Sequence, residues 1–245
     1  MRHAARDLPR YTSYPTAAQF SDKTGEATAR VWASGIDATA PVSIYVHVPF
    51  CEKLCWYCGC HTSVPNGYDR VAALARRLEV EIGLWAEAMD EHGGAAHIHF
   101  GGGSPNALSP QDFERIARRL RTSFRPRPDV EFAVELDPRT LRSDFIDALG
   151  RAGVNRASLG VQTFDEVVQK KINRIQPFEM VAEATAHLRR VGVEGINFDL
   201  MYGLPGQTEA SVTDTVRQAV KLRPDRVAMF GYAHVPWFAK HQKMI

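Results

Sequence analysis

No cysteine occurs in this 245-residue chain outside residues 51–60, and within that stretch there are four. A disulfide framework spreads its thiols along the chain, so that reading is excluded. Charge of one sign is also missing: 30 basic residues face 28 acidic ones, for a formal net charge of +2. That balance makes no case for nucleic acid, which calls for a strongly basic face or tail. No run approaches the roughly 18 apolar residues of a membrane-spanning helix. The opening "MRHAARDLPRYTSYPTAAQF" lacks the continuous apolar core of a signal peptide. These absences predict a cytoplasmic protein with reduced thiols, without a membrane or nucleic-acid partner.

What is present is an ordinary globular composition, 44% apolar. A chain of this length can bury roughly 70–75% of its unfolded surface around one large core. Residues 1–40 show no sustained periodicity and read as an N-terminal arm. From residue 41 to 245, short β-branched or apolar runs alternate with helical patterns. The strand candidates are 42–48, 96–100, 130–136, 156–161, 195–201 and 226–232, four of them mixing in polar residues. Between them, Val71, Leu74, Leu78, Ile82, Trp85 and Met89 recur at helical spacing. Ser109 reads as an N-cap before Pro110, with Phe113, Ile116 and Leu120 on one face. Leu141, Phe145 and Leu149 form the next stripe, stopped at Gly153. Met180, Val181, Ala184, Leu188 and Val191 form another, and Val212, Val216 and Val220 the last. The pairs Arg76/Arg77, Arg118/Arg119 and Arg189/Arg190 fall off these stripes, on a solvated outer face.

Strand–helix alternation implies crossovers and a parallel sheet, hence an α/β fold. Two arrangements fit: an open doubly wound sheet or an incomplete TIM-like barrel. Both gather ligands at the carboxyl ends of the strands. The unusual residues fall there: "CEKLCWYCGC", "GGGSP", Glu135 and Asp137, Gln162, then Asp199 with "GLPG". The chain stops at "KHQKMI" without a sixth helix over the last strand, which predicts that it is part of a longer protein.

The cysteine spacing is Cys51-x3-Cys55-x2-Cys58-x1-Cys60. Structural zinc usually takes two ligand pairs a dozen or more residues apart. No distant pair exists here and His47 and His61 are the only nearby substitutes, so zinc stays the less favoured alternative. A compact loop with three close thiolates suits an iron–sulfur cube with one iron lacking a protein thiolate. Cys58 and Cys60 are too close to reach different corners. The spacing therefore favours Cys51, Cys55 and Cys58 as ligands and leaves Cys60 as a small buried hydrophobe.

Cys51-x3-Cys55-x2-Cys58, with aromatic Tyr57 before the third cysteine, resembles the signature of the radical S-adenosylmethionine (SAM) superfamily. "GGGSP" resembles the superfamily turn that receives the SAM amino group. In order along the chain come "PRYTSYPTA", "YVHVPFCEKLCWYCGC", "GGGSP", "ELDP", "GVQTF", "INR", "NFDLMYGLPGQT" and "YAHVP". Together they resemble the oxygen-independent coproporphyrinogen III oxidases (coproporphyrinogen dehydrogenases). The resemblance implies a partial (β/α)6 barrel followed by a helical C-terminal domain, the latter absent here. It implies a [4Fe–4S] cluster on Cys51, Cys55 and Cys58, and one or two SAM molecules. Contacts to the cluster-bound SAM would fall on Tyr45, Gly102 and Glu135. Those to a second SAM would fall on Tyr57, Gly103, Ser104, Gln162, Arg174, Asp199 and Ala233. Ser104 stands where the motif commonly has threonine and keeps the hydroxyl. The implied reaction is oxidative decarboxylation of two propionates of coproporphyrinogen III to vinyls, giving protoporphyrinogen IX in heme biosynthesis. It requires an electron donor for the cluster and an electron acceptor, neither identified by the sequence, and a monomer is expected. Arg10 and Tyr11 are candidate substrate contacts. The alternative is a heme chaperone related to this enzyme, but such relatives typically differ at the Cys60 position and lack the "RYTSYP" arm.

Overall fold

In the computed structural model, residues 16, 19–89 and 91–245 are described. Arg10 and Tyr11 lie outside them. Six strands form one sheet: β1 Val42–Val48, β2 Ala95–Gly102, β3 Glu131–Leu136, β4 Arg156–Gln162, β5 Gly195–Tyr202 and β6 Arg226–Gly231. Every neighbouring pair is parallel, and the order is β1-β2-β3-β4-β5-β6. That order decides between the two arrangements. A doubly wound sheet reverses direction at a switch point, whereas successive right-handed crossovers without reversal put all helices on one face. The result is a partial (β/α)6 barrel with its helices outside.

The helices are α1 Glu26–Ser34, α2 Asp69–Ala88, α3 Pro110–Phe124, α4 Ser143–Ala152, α5 Glu166–Lys171, α6 Phe178–Arg190 and α7 Glu209–Lys221. Ser109 caps α3 by accepting from the Asp112 amide, with Pro110 in the first turn, as its sequence dictates. Gly153 ends α4 at φ +75°, a left-handed turn that glycine adopts without a steric penalty. Two helices escaped the sequence reading. One is α1, inside the expected arm, where only Ala33 is buried while Val31 and Trp32 stay exposed. The other is α5, too short at 6 residues to show a period. In α7 the buried residues are Thr215 and Ala219, and Val220 is turned to solvent. The arginine pairs lie on exposed outer positions, as expected.

The core sits between the sheet and the helices. Phe113 of α3 packs against Phe100 of β2 and Phe145 of α4, with ring centroids 5.0 and 5.2 Å apart, and all three are fully buried. Burying each such ring contributes about 1.5–3 kcal/mol. Along β3 and β4, burial alternates strictly: Phe132, Val134, Leu136 and Ala157, Leu159, Val161 face the helices. The opposite, inner face is polar and, apart from buried Asn197, half-buried or exposed. It carries Ser43, Tyr45 and His47 on β1, His97 and His99 on β2, and Glu131 and Glu135 on β3. On the later strands it carries Arg156 and Ser158, then Asn197 and Asp199. This is why four strands mixed polar residues into their apolar runs. On β6, Val227, Met229 and Phe230 are 39–52% exposed, in keeping with a strand that no following helix covers among the described residues.

Candidate active site

The carboxyl end of the sheet opens into a cavity of about 380 Å³. The cysteine loop forms one wall, and its neck is closed where Cys51 N–H donates to Ser63 O (3.0 Å) and Ser63 N–H to Pro49 O (2.9 Å). The segment around α5 clamps the loop from the other side. Trp56 N–H donates to Ile172 O at 3.0 Å, and Asn173, held at φ +54°, donates from its side chain to Leu54 O at 2.8 Å. Beyond β6, the chain returns onto the same loop. His241 Nε2 donates to Cys58 O (2.6 Å), and the fully buried Gln242 donates from Nε2 to Tyr57 O (2.8 Å).

Cys51, Cys55 and Cys58 all line this cavity, together with Tyr57, Gly102, Gly103, Glu135, Gln162, Arg174, Asp199 and Ala233. Two of the expected cofactor residues do not. Ser104 is buried in the turn, its hydroxyl donating to Asn106 Oδ1 at 2.6 Å. Tyr45 stands on the inner face, 57% exposed, stacked on His99 at 5.7 Å and hydrogen-bonded through its hydroxyl to His47 Nδ1 at 3.0 Å.

The glycine turn is packed so closely that side chains are excluded. A Cβ on Gly101 would lie 2.9 Å from the Glu135 carboxyl carbon. One on Gly103 would meet Phe50 O and Thr62 Oγ1, each at 2.6 Å. Gly102, at φ +112°, would strike the His47 ring. Its amide donates to Glu135 Oε2 at 3.3 Å, and Glu135 Oε1 meets His99 Nε2 at 3.1 Å. Gln162 is aimed into the cavity by a break in the β4–β5 register after Gly160 and by a backbone at φ +65°, a strained conformation typical of functional positions. Asp199 accepts from Ser158 (2.7 Å) and Asn197 (2.8 Å). Burial nonetheless raises its pKa above the usual carboxylate value.

The electrostatics centre on a buried trio, of which the sequence singles out Asp137 and Arg174 but not Arg139. Asp137 pairs with Arg139 at 2.6 Å and with Arg174 at 3.2 Å. Burial pushes the Asp137 pKa up, but Arg174 and Arg139 outweigh it and hold it below the usual value. Burial likewise works against the charge on Arg174, and Tyr57, Asp137 and Cys55 together raise its pKa. The Tyr57 hydroxyl is pushed well up by burial.

Cys60 departs from expectation. The loop turns outward at exposed Gly59, so Cys60 is exposed at the cavity rim rather than buried. The neighbouring thiols perturb each other in opposite senses: the Cys58 pKa is raised and that of Cys60 is drawn down to about 7. Cys51 is raised chiefly by burial.

The radical SAM superfamily pattern matches residues 45–219, most of the chain. The chain belongs to the radical SAM superfamily. It is 53% identical over 238 residues to an oxygen-independent coproporphyrinogen III oxidase of Bradyrhizobium diazoefficiens, covering 97% of this chain and 53% of that one. The corresponding Escherichia coli oxidase is 40% identical, with 97% and 51% covered. The solved coproporphyrinogen III oxidase (HemN) of Escherichia coli, a radical SAM enzyme, superposes with a TM-score of 0.90 at 38% identity, over 96% of this chain and 54% of that one. Methylornithine synthase, at 13% identity and a TM-score of 0.55, shares the fold alone. The chain thus spans about half the length of the curated relatives it matches.

Radical SAM proteins carry a [4Fe–4S] cluster and SAM, and the residues here fit both. Three thiols stand on one cavity wall, and the buried Cys55 sulfur accepts from two guanidinium groups, which suits a thiolate ligand. Among the described residues, no three His, Cys, Asp or Glu side chains converge as ligands of a single metal ion. Because Cys51 and Cys58 favour their protonated forms, loading a cluster must release protons.

Proposed function

We propose that this protein performs the oxygen-independent oxidative decarboxylation of coproporphyrinogen III, converting two propionates to vinyls and giving protoporphyrinogen IX. The observation that carries the reading is the single cavity joining Cys51, Cys55 and Cys58 to Glu135, Gln162, Arg174 and Asp199 at the carboxyl ends of the strands. Similarity to oxidases of that name over nearly the whole chain supports it.

When bound there, the cluster and SAM would supply the one-electron radical chemistry that oxidative loss of CO2 from a propionate requires. The chain's own residues position and seal. Cys51, Cys55 and Cys58 hold the cluster. Gly102 and Gly103 allow the ligand close to the backbone, and Glu135 accepts from an ammonium or hydroxyl group. Asp199 and Gln162 hold a second SAM through its polar groups, with Tyr57 and Ala233 as its wall. Arg174 already pairs with Asp137 at this wall. Beneath the cavity, the polar inner face with Tyr45, His47, His99 and Arg156 suits a ring system bearing carboxylates better than an aliphatic barrel interior would. An electron donor to the cluster and an acceptor for the substrate electron complete the reaction. The cytoplasm, which keeps four thiols reduced, is its place of action, as a monomer. No helix among the described residues is long and apolar enough to cross a membrane.

The test is anaerobic reconstitution with iron and sulfide, reduction, and addition of SAM and coproporphyrinogen III. 5′-Deoxyadenosine and protoporphyrinogen IX are measured separately. Both products support the proposal. Deoxyadenosine without the porphyrin product refutes decarboxylation by this chain, and absence of a cluster refutes the whole reading.

A further inference from the structure

The three ligand thiols do not share one environment. Cys51 Sγ has one neutral neighbour, Thr62 Oγ1 at 3.2 Å, and Cys58 Sγ accepts from the Cys60 amide at 3.4 Å. Cys55 Sγ accepts from Arg139 Nη2 at 3.1 Å and from Arg174 Nη1 at 3.2 Å. Arg139 reaches it from the turn after β3, and Arg174 from the segment after α5. Both side chains are buried, 4% and 6% exposed, and one carboxylate, Asp137, lies between them. Two cations against one anion leave a positive charge beside this one sulfur.

Arg139 is also fixed in place. Its other contacts are Asn173 O at 3.1 Å, Lys53 O at 3.3 Å and the Asp137 carboxylate. The guanidinium therefore spans the cysteine loop and the segment around Asn173, with Nη2 shared among the sulfur, Lys53 O and Asp137 Oδ2. A planar fork with five donors meets these demands, and a lysine ammonium does not.

We infer that Arg139, acting with Arg174, is a positioning residue that sets the reduction potential of the cluster through the Cys55 thiolate. The inference rests on the three-cysteine cluster reading above. Adding one electron to a thiolate-bound cluster raises its negative charge, and hydrogen bonds to ligand sulfur stabilise that form. In a buried setting a fixed cation acts on that charge with little screening. Arg139 and Arg174 thus favour the reduced cluster and raise its potential. Because the donors converge on Cys55, the charge is drawn toward one corner.

The test is a dithionite redox titration of the anaerobically reconstituted protein, followed by electron paramagnetic resonance, for parent, Arg139→Gln and Arg139→Lys. Iron and sulfide content and thermal unfolding are measured alongside. The expected result is parent-like cluster content with a lower midpoint potential in Arg139→Gln and an intermediate one in Arg139→Lys, which keeps the charge but loses the fork. An unchanged midpoint in a loaded variant overturns the inference. So does loss of cluster and fold in both variants in proportion, which would make Arg139 a structural strut alone. A parent that takes up no cluster overturns the reading beneath it.

Discussion

Replacing Gly103 by alanine tests how the glycine turn governs the cysteine loop. The added methyl would lie 2.6 Å from Phe50 O, 2.6 Å from Thr62 Oγ1 and 2.9 Å from Phe50 C. Two of these atoms are backbone and cannot swing aside. Gly103 N–H donates to Val48 O and Ser104 N–H to Phe50 O, each at 2.8 Å, so both bonds joining the turn to the end of β1 must stretch. Overpacking costs about 1–3 kcal/mol, and each weakened hydrogen bond about 0.5–1.5 kcal/mol. A total near 3 kcal/mol is expected. Phe50 immediately precedes Cys51, so the displacement passes into the proposed ligand set. Urea unfolding followed by circular dichroism gives the stability, and iron content after reconstitution gives the functional effect. Gly59→Ala is the control, because it sits in the same loop with open space around its Cβ position and an unrestricted φ. It should match the parent. If Gly103→Ala stays within about 0.5 kcal/mol of the parent and loads a full cluster, the steric argument is refuted, since that is the range of inconsequential surface changes.

Cys60→Ser is expected to keep parent iron and sulfide content, whereas Cys51→Ser, Cys55→Ser or Cys58→Ser each lowers it sharply; loss in the Cys60 variant would show that the ligands are miscounted. Asp137 has a folded pKa below its unfolded value of about 3.9, so its stabilisation is fully present above that value and disappears as pH falls through the lower folded one. Asp137→Asn should cost about 3–5 kcal/mol at pH 7, leaving two buried guanidinium groups without their carboxylate, and should reduce the acid-dependent loss seen in urea midpoints between pH 7 and 3. Asn106 is fully buried, accepting from the Asp137 amide and Ser104 and donating to Thr140. Asn106→Ala should lose about 2–4 kcal/mol by calorimetry or urea unfolding, because several of those partners are then left unpaired.

The longer helices were legible because period and punctuation agreed, and the six strands because position and flanking turns marked them even where polar residues broke the apolar runs. Ser109-Pro110 before an apolar stripe and Gly153 after one specify their boundaries almost alone. The strand order was not legible. Alternating elements are compatible with a reversing sheet or a continuous one, and only the pairing of each strand with its successor separates them. Within the site, the glycine turn and the cysteine spacing signalled themselves through local pattern. Arg139 and Gln242 did not. An arginine in "DPRT" and a glutamine in "KHQK" look like surface residues, and they become site residues through contacts with a loop 84 and 185 positions away.

The same logic explains why the sheet's two faces were hard to read. A parallel sheet covered by helices on both sides is expected to be apolar throughout. Here the helices occupy one side, and the inner face keeps histidines, carboxylates and arginines half-buried or exposed. Those groups carry little folding energy, so the sequence marks them only as interruptions in apolar runs. Their arrangement is still ordered: Ser43 meets His97 at 3.0 Å, His99 meets Glu135, and Arg226 donates to Asn197 at 3.0 Å. A solvated interior built from such rows has given up core packing to keep polar groups available. The outer aromatic cluster of Phe100, Phe113, Phe132 and Phe145 supplies the stability that the inner face forgoes.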